Sequence, residues 1–238
     1  MVKEICFQDG NKLYITDEPS VLCSLLSEGK TAIPEYDSTS EVTGFPHTDY
    51  AVIDSDSMTT RELYDIYCRI NGIPVVVLTT EHMLLREMSV DDVPEFYKIY
   101  GVKGVSDYID PLFDNPADEI LHTRNYIKNI YGFYGYGLWT IVDKATGHVM
   151  GRAGLSPRSS SEYPDLGFVI AAEYQGRHLG YEIGNAILDY AKNELGLKTI
   201  QARVNPSNIK SVKLLEKLGF TFPHKLHQDC LTVLRTFS

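Results

Sequence analysis

Leu166-Gly167-Phe168-Val169-Ile170-Ala171-Ala172 reads as an apolar strand, and Glu173-Tyr174-Gln175-Gly176-Arg177-His178-Leu179-Gly180 turns it into a long amphipathic helix. A further strand, Thr199 to Val204, is followed by Asn205-Pro206-Ser207-Asn208-Ile209-Lys210-Ser211 and a helix closing on Lys217-Leu218-Gly219-Phe220. Ile183, Ile187 and Ala191 recur at spacing four, so the first helix lays one face on a sheet. A glycine-bearing turn that opens a helix aims free backbone N–H groups, and the positive end of the helix dipole, at the space in front of it. That makes it an anion site, for which a phosphate is the usual guest.

These residues resemble the GNAT superfamily of acyl-CoA-dependent N-acetyltransferases. Gln175 and Gly180 match the family's Gln/Arg-x-x-Gly-x-Gly/Ala element. Asn208 and Ser211 match its Asn-x-x-Ser, and Lys217-Leu218-Gly219-Phe220 its Lys-x-Gly-Phe ending. The three elements stand in order and at the right separations. His178 departs from the pattern, standing where the family usually has a glycine. Leu84-Leu85-Arg86, Asp91-Asp92 and Asn208-x-x-Ser211 look most like the branch that acetylates N-termini of ribosomal proteins, which also holds small-molecule enzymes.

The chain has 238 residues, enough for one large domain or two small ones, with 43% hydrophobic and 23% charged residues, an ordinary soluble composition. It carries no long apolar run and no signal-peptide pattern, so no membrane association is expected. Cys6, Cys23, Cys68 and Cys230 are scattered and read as reduced thiols of a cytoplasmic protein. No metal site is expected, since the seven histidines do not pair with them at ligand spacing. A net charge of −10 argues against nucleic-acid binding, which needs a basic footprint. A homodimer is compatible with this composition.

The charge is uneven: residues 1–80 hold 5 Lys/Arg against 13 Asp/Glu, and the remainder 17 against 19. This step marks a domain boundary near residue 80. The first 80 residues read as a small α/β unit with strands at 12–16, 31–34 and 50–54. Its helices are expected at 18–28, capped by Asp17 and stopped by Gly29, and at 60–71, opened by the Thr59/Glu62 capping box. Alternation of strands and helices favours a parallel sheet. Residues 35–49 are polar and irregular. The order faintly resembles half of a haloacid-dehalogenase-like Rossmann unit. It lacks that family's Asp-x-Asp nucleophile motif, so no phosphatase chemistry is expected.

Residues 81–238 fit the GNAT layout, an α/β fold on a mixed sheet. A strand at 83–88 leads to a helix capped by Ser89 and Asp92, and Asn115-Pro116 opens a helix over 117–131. Strands follow at 138–142, 148–155 and 163–172, and 230–237 closes the sheet. The aromatic run Tyr131-Gly132-Phe133-Tyr134-Gly135-Tyr136-Gly137-Leu138-Trp139 lines an acceptor cleft or, for Phe133 and Trp139, joins the core.

The resemblance implies attack of a neutral amine on the thioester of acetyl-CoA. The cofactor's pyrophosphate would lie on backbone N–H groups of Gly176, Arg177, His178, Leu179, Gly180 and Tyr181, with Gln175 and Asn208 at its flanks and the Arg177 side chain adding charge. The pantetheine arm would run along Phe168, Val169 and Ile170, with an N–H near Phe168 or Val169 holding the oxyanion. Asp165, at the start of that strand, is the first candidate for general base, and Glu162 the second. The family's usual tyrosine acid falls at Leu215, which leaves Ser211 as the nearest hydroxyl, with Tyr181 and Tyr190 more distant. The acceptor is a protein N-terminus or a small-molecule amine. A rival reading is a non-catalytic acyl-CoA-binding module working through the N-terminal domain, to which Leu215 and His178 lend support.

Overall fold

A computed structural model of the chain describes residues 1–36, 44–158, 161–223 and 230–237, so the irregular segment expected at 35–49 lies partly outside it. The chain divides into two compact units, Met1–Val75 and Val76–Ser238. The expected boundary near residue 80 falls after the strand Val76–Thr79, which belongs to the sheet of the second unit.

In the first unit, β1 (Val2–Cys6), β2 (Lys12–Thr16) and β3 (Ala32–Pro34) form a sheet in that order. β1 was not foreseen. Its polar alternation gives no buried face, and it pairs antiparallel to β2, whereas β3 is parallel. The sheet is therefore mixed. α1 (Pro19–Ser27) starts from Glu18 with no side-chain cap, so Asp17 is not the cap. Pro19, whose φ is preset and whose missing N–H would be unpaired anyway, opens the helix instead. α2 (Thr60–Ile70) has both bonds of the Thr59/Glu62 capping box. The strand expected at 50–54 is reduced to one parallel bridge, Glu35 with Val52. Leu13, Ile15, Ile33, Leu63 and Tyr67 form the core of this unit.

The second unit is built on seven strands: β4 (Val76–Thr79), β5 (Met83–Arg86), β6 (Leu138–Asp143), β7 (Val149–Ser156), β8 (Asp165–Ile170), β9 (Thr199–Val204) and β10 (Leu231–Thr236). They lie side by side in chain order, all neighbours antiparallel except β8 and β9, which run parallel. α3 (Val93–Tyr100) follows the Ser89/Asp92 capping box. α4 (Pro116–Tyr126), capped by Asn115, passes through a π-helical turn, Ile127–Tyr131, into the short α5 (Gly132–Tyr134). α6 (Leu179–Asn193) and α7 (Ile209–Lys217) complete the unit.

The apolar stripe of α6, Ile183, Ile187 and Ala191, is buried with Trp139, Ile141, Met150 and Leu155 of the sheet. Trp139 is fully buried, whereas Phe133 is 80% exposed and belongs to no core. Tyr131 is buried in the same core, where its hydroxyl accepts the Met88 N–H and donates to the Leu138 carbonyl, so its polar tip is satisfied. Gly137 leaves room for that ring: a Cβ there would stand 2.6 Å from it.

α6 and α7 pack closely because α6 lacks side chains at two positions one turn apart. A Cβ on Gly180 would meet Leu214 at 3.2 Å, and one on Gly184 would meet Leu218 at 2.6 Å. Gly180 thus fits α7 as well as any ligand in front of the helix. No helix among the described residues is long and apolar enough to cross a membrane.

Candidate active site

The opening between β8 and β9 organises the site. The two strands share one register pair among the described residues, Asp165 with Gln201. Beyond it the outer edge of β8 has no strand partner, while its inner edge pairs with β7 from Ser156–Asp165 to Gly151–Ile170. The Ala171 N–H bonds the Met150 carbonyl of β7 at 2.8 Å. Antiparallel alternation then turns the N–H groups of Val169 and Gly167 toward β7, and those of Phe168 and Ile170 toward the opening. The Ile170 carbonyl, on the open side, accepts from Gln175 Nε2 at 2.9 Å.

The turn beyond β8 is shaped by two left-handed residues. Gly176 has φ 77° and His178 φ 62°, the one described non-glycine residue with positive φ. This explains why the family pattern favours glycine at position 178. The His178 carbonyl accepts the Tyr181 and Glu182 N–H groups, which leaves those of Leu179 and Gly180 as the unpaired donors of the helix start. The Leu179 side chain is buried, so it can offer a ligand its backbone alone. Arg177 lies exposed over the Tyr174 ring, at 5.7 Å. Lys210 of α7, unmentioned by any motif, reaches Gln175 Oε1 at 3.2 Å and adds a cation beside the turn. Exposed N–H groups, paired left-handed residues and two nearby cations fit a polyphosphate ligand.

Asn208 caps α7, its Oδ1 accepting the Ser211 N–H at 3.2 Å. Ser211 is half-buried and does not line the cavity described next. Leu215, at the position of the family's tyrosine, is 2% exposed within the core.

On the other face of the sheet from α6, a cavity of about 520 Å³ opens against β8. Asp165, Phe168 and Val169 line it, together with residues that no motif pointed to: Tyr100, Glu119, Thr123, Tyr126 and Arg152. Asp165 is 5% exposed and fully engaged. Oδ1 accepts Gln201 Nε2 at 2.6 Å, and Oδ2 accepts Arg158 Nε at 2.5 Å and Arg203 Nε at 3.0 Å. A carboxylate so committed positions its neighbours and has little left to receive a substrate proton. Glu162 is exposed and not among the lining residues.

α4 turns one polar face to the cavity. Glu119, Thr123 and Tyr126 follow one another at helical spacing, with Glu119 and Thr123 only 2% and 1% exposed. Glu119 Oε2 accepts the Phe113 N–H at 3.1 Å. The buried Thr123 hydroxyl has no partner among the described residues. Tyr126 accepts the Leu138 N–H at 2.8 Å, and burial pushes its phenol up from the ordinary value. Burial likewise raises Tyr100, outweighing the opposing charge of Arg152, so this phenol stays protonated.

A family model described as Acetyltransferase (GNAT) domain matches residues 82–221, more than half of the chain. The chain belongs to the GNAT acetyltransferase family. It is an enzyme of the N-acetyltransferase type. It is 31% identical to YkkB of Bacillus subtilis over 152 residues, 61% of this chain and 85% of that protein. It is 26% identical to the N-acetyltransferase p20 of Bacillus licheniformis, over 60% of this chain and 81% of the relative. Among solved structures, an acetyltransferase from Agrobacterium tumefaciens superposes with TM-score 0.59 at 23% identity, covering 68% of this chain and 95% of that one. A ribosomal-protein-S5-alanine acetyltransferase from Vibrio fischeri gives 0.57 at 18% identity, covering 68% and 97%. At these identities the structural likenesses speak for the fold alone.

Proposed function

We propose that this enzyme moves an acetyl group from acetyl-CoA to a primary amine bound in the cavity beside β8. The observation that carries the reading is the β8–β9 opening, which leaves unpaired backbone between a phosphate-fitting turn and a polar cavity. Bound acetyl-CoA would supply an acyl thioester. In this reading Gly176, Arg177, His178, Leu179, Gly180 and Tyr181 hold the pyrophosphate, with Gln175 and Asn208 fixing the turn and its neighbouring loop. The open edge of Phe168, Val169 and Ile170 orients the pantetheine arm. The Phe168 N–H, facing the opening, donates to the carbonyl oxygen as it gains charge, and one such donor is typically worth about 3–4 kcal/mol of barrier.

The proton of the amine goes to Glu119, the buried carboxylate that α4 turns to the cavity, whose Oε1 has no hydrogen bond among the described residues. Asp165, the first candidate from sequence, keeps a part as the residue that positions Arg158 and Arg203. Ser211, the hydroxyl candidate from sequence, has a small effect, because a coenzyme A thiolate leaves unaided.

A panel of small-molecule amines and N-terminal peptides, read by free-thiol release from acetyl-CoA, tests the reading. Amine-dependent thiol release that falls about 10²–10⁴-fold in Glu119→Gln is expected. Binding of acetyl-CoA with no amine-dependent release from any acceptor would favour the non-catalytic module instead.

A further inference from the structure

We propose that the acceptor carries an anionic group besides its amine, as an amino acid does, and that Arg152 holds that anion. The inference rests on the acetyltransferase reading and names the substrate class of the same cavity.

Three guanidinium groups line the cavity, and they are not equivalent. Arg158 and Arg203 share the Asp165 carboxylate. Arg152 has no carboxylate within ion-pair distance among the described residues. It is held by other means: its Nε and Nη2 donate to the Tyr100 hydroxyl at 2.9 and 2.7 Å. Its guanidinium lies over the Phe96 and Tyr100 rings at 5.0 and 4.9 Å. A planar cation fixed by ring stacking, with further N–H donors left over, is preorganised for a carboxylate. Its charge is half-buried and has no ion-pair partner among the described residues, so a bound anion would supply one.

α4 supplies the complementary chemistry. Glu119 is a buried carboxylate with no cation within ion-pair distance among the described residues, and the Thr123 hydroxyl on the same helix is buried and unpartnered among them. An ammonium or amine supplies donors to both. Arg152 is the register partner of Val169, next to the Phe168 N–H. The guanidinium thus stands on the strand that flanks the β8 edge, and an acceptor with both an amine and an anion would engage both groups. A polyamine or an internal amide would leave Arg152 uncompensated.

The test uses the full chain, acetyl-CoA and free-thiol release. L-amino acids of each side-chain class are compared with their own amides, and with spermidine. The best amino acids should exceed their amides in kcat/KM by about 10–100-fold, the worth of a charge-assisted pair. Arg152→Gln, with melting checked against wild type, should collapse that gap through KM on the acids, and Arg152→Lys should restore part of it. Amides or spermidine outranking the acids in the wild type would overturn the inference and leave the transferase reading standing. So would a gap that persists in Arg152→Gln. If acetyl-CoA raises the melting temperature but no amine of any class releases thiol, the transferase reading falls and takes this inference with it.

Discussion

Asp165 and Gln201 join β8 to β9 twice, as the strands' one register pair and through a 2.6 Å side-chain hydrogen bond. The same carboxylate brackets Arg158 and Arg203, so the point where the sheet opens is also where two of the cavity's three arginines are fixed.

Asp165→Asn should therefore lower kcat/KM by a similar factor, about tenfold or more, at every pH between about 6 and 9. A general base would behave otherwise, because its loss matters less once the amine arrives neutral at high pH. Asp165→Ala should also cost roughly 2–3 kcal/mol, less than for a fully buried pair, since both arginines are partly exposed. A pH-rate profile on the acceptor decides: a defect that fades as pH rises would return the base role to Asp165.

His178 pays for its left-handed backbone with roughly 1 kcal/mol. His178→Gly should raise Tm by about 2–4 °C, a little less if the freer unfolded chain offsets it. A fall in Tm, measured by calorimetry, would mean that the imidazole makes contacts worth more than the strain.

Arg177 is exposed and touches only the Tyr174 ring among described contacts. Arg177→Glu should leave Tm nearly unchanged and weaken acetyl-CoA about 10–100-fold by titration calorimetry. Unchanged affinity would move the pyrophosphate away from this turn.

Asp92 takes both Arg86 Nη groups at 2.7 and 2.8 Å, the Ser89 N–H and the Thr140 hydroxyl. Burial works against its ionisation, but these partners outweigh it and hold the carboxyl below its ordinary value. The unfolded chain takes up this proton first on acidification. The stability it contributes is thus complete above about pH 4 and is lost as pH falls through the depressed folded value. The urea midpoint of the wild type should drop as pH falls below about 4, and that of Asp92→Asn should start lower and drop less. Equal slopes would assign the acid sensitivity to other carboxylates.

The composition step between the two units motivates a truncation. Residues 76–238 should fold alone and bind acetyl-CoA, whereas 82–238 should be less stable, because β4 is stripped from β5 and Val77 and Leu78 leave the core. Insoluble 76–238 would show that the first unit completes the second.

Elements with their own punctuation were legible in the sequence. The Thr59/Glu62 capping box, the Asn115-Pro116 start and the turn from Gln175 to Gly180 each carry the physics of their ends in adjacent residues. β1 was missed because its exposed alternation resembles any polar segment, and the strand at 50–54 lacked a partner to pair with beyond one bridge. Asp165 was found, but its commitment was not, since Gln201 and Arg203 lie far along the chain. The cavity wall stayed hidden for the same reason: Arg152 stands on β7 and Glu119 and Thr123 on α4. Polar residues at spacings of four and three on α4 were the one available sign that this helix turns a polar face inward.

Gly180 and Gly184 make α6 and α7 a geared pair. Leu214 and Leu218 sit against the helix where it has no side chains, so the two helices share a close-packed contact at both points. The turn at 176–181 and the Asn208 loop, which lie on separate segments, are thereby spaced by this contact and by the Lys210–Gln175 hydrogen bond. An added methyl at Gly184, on the second turn of α6, would shift one loop against the other, and the enzyme would register it first as poorer grip on a long, two-ended ligand rather than as unfolding.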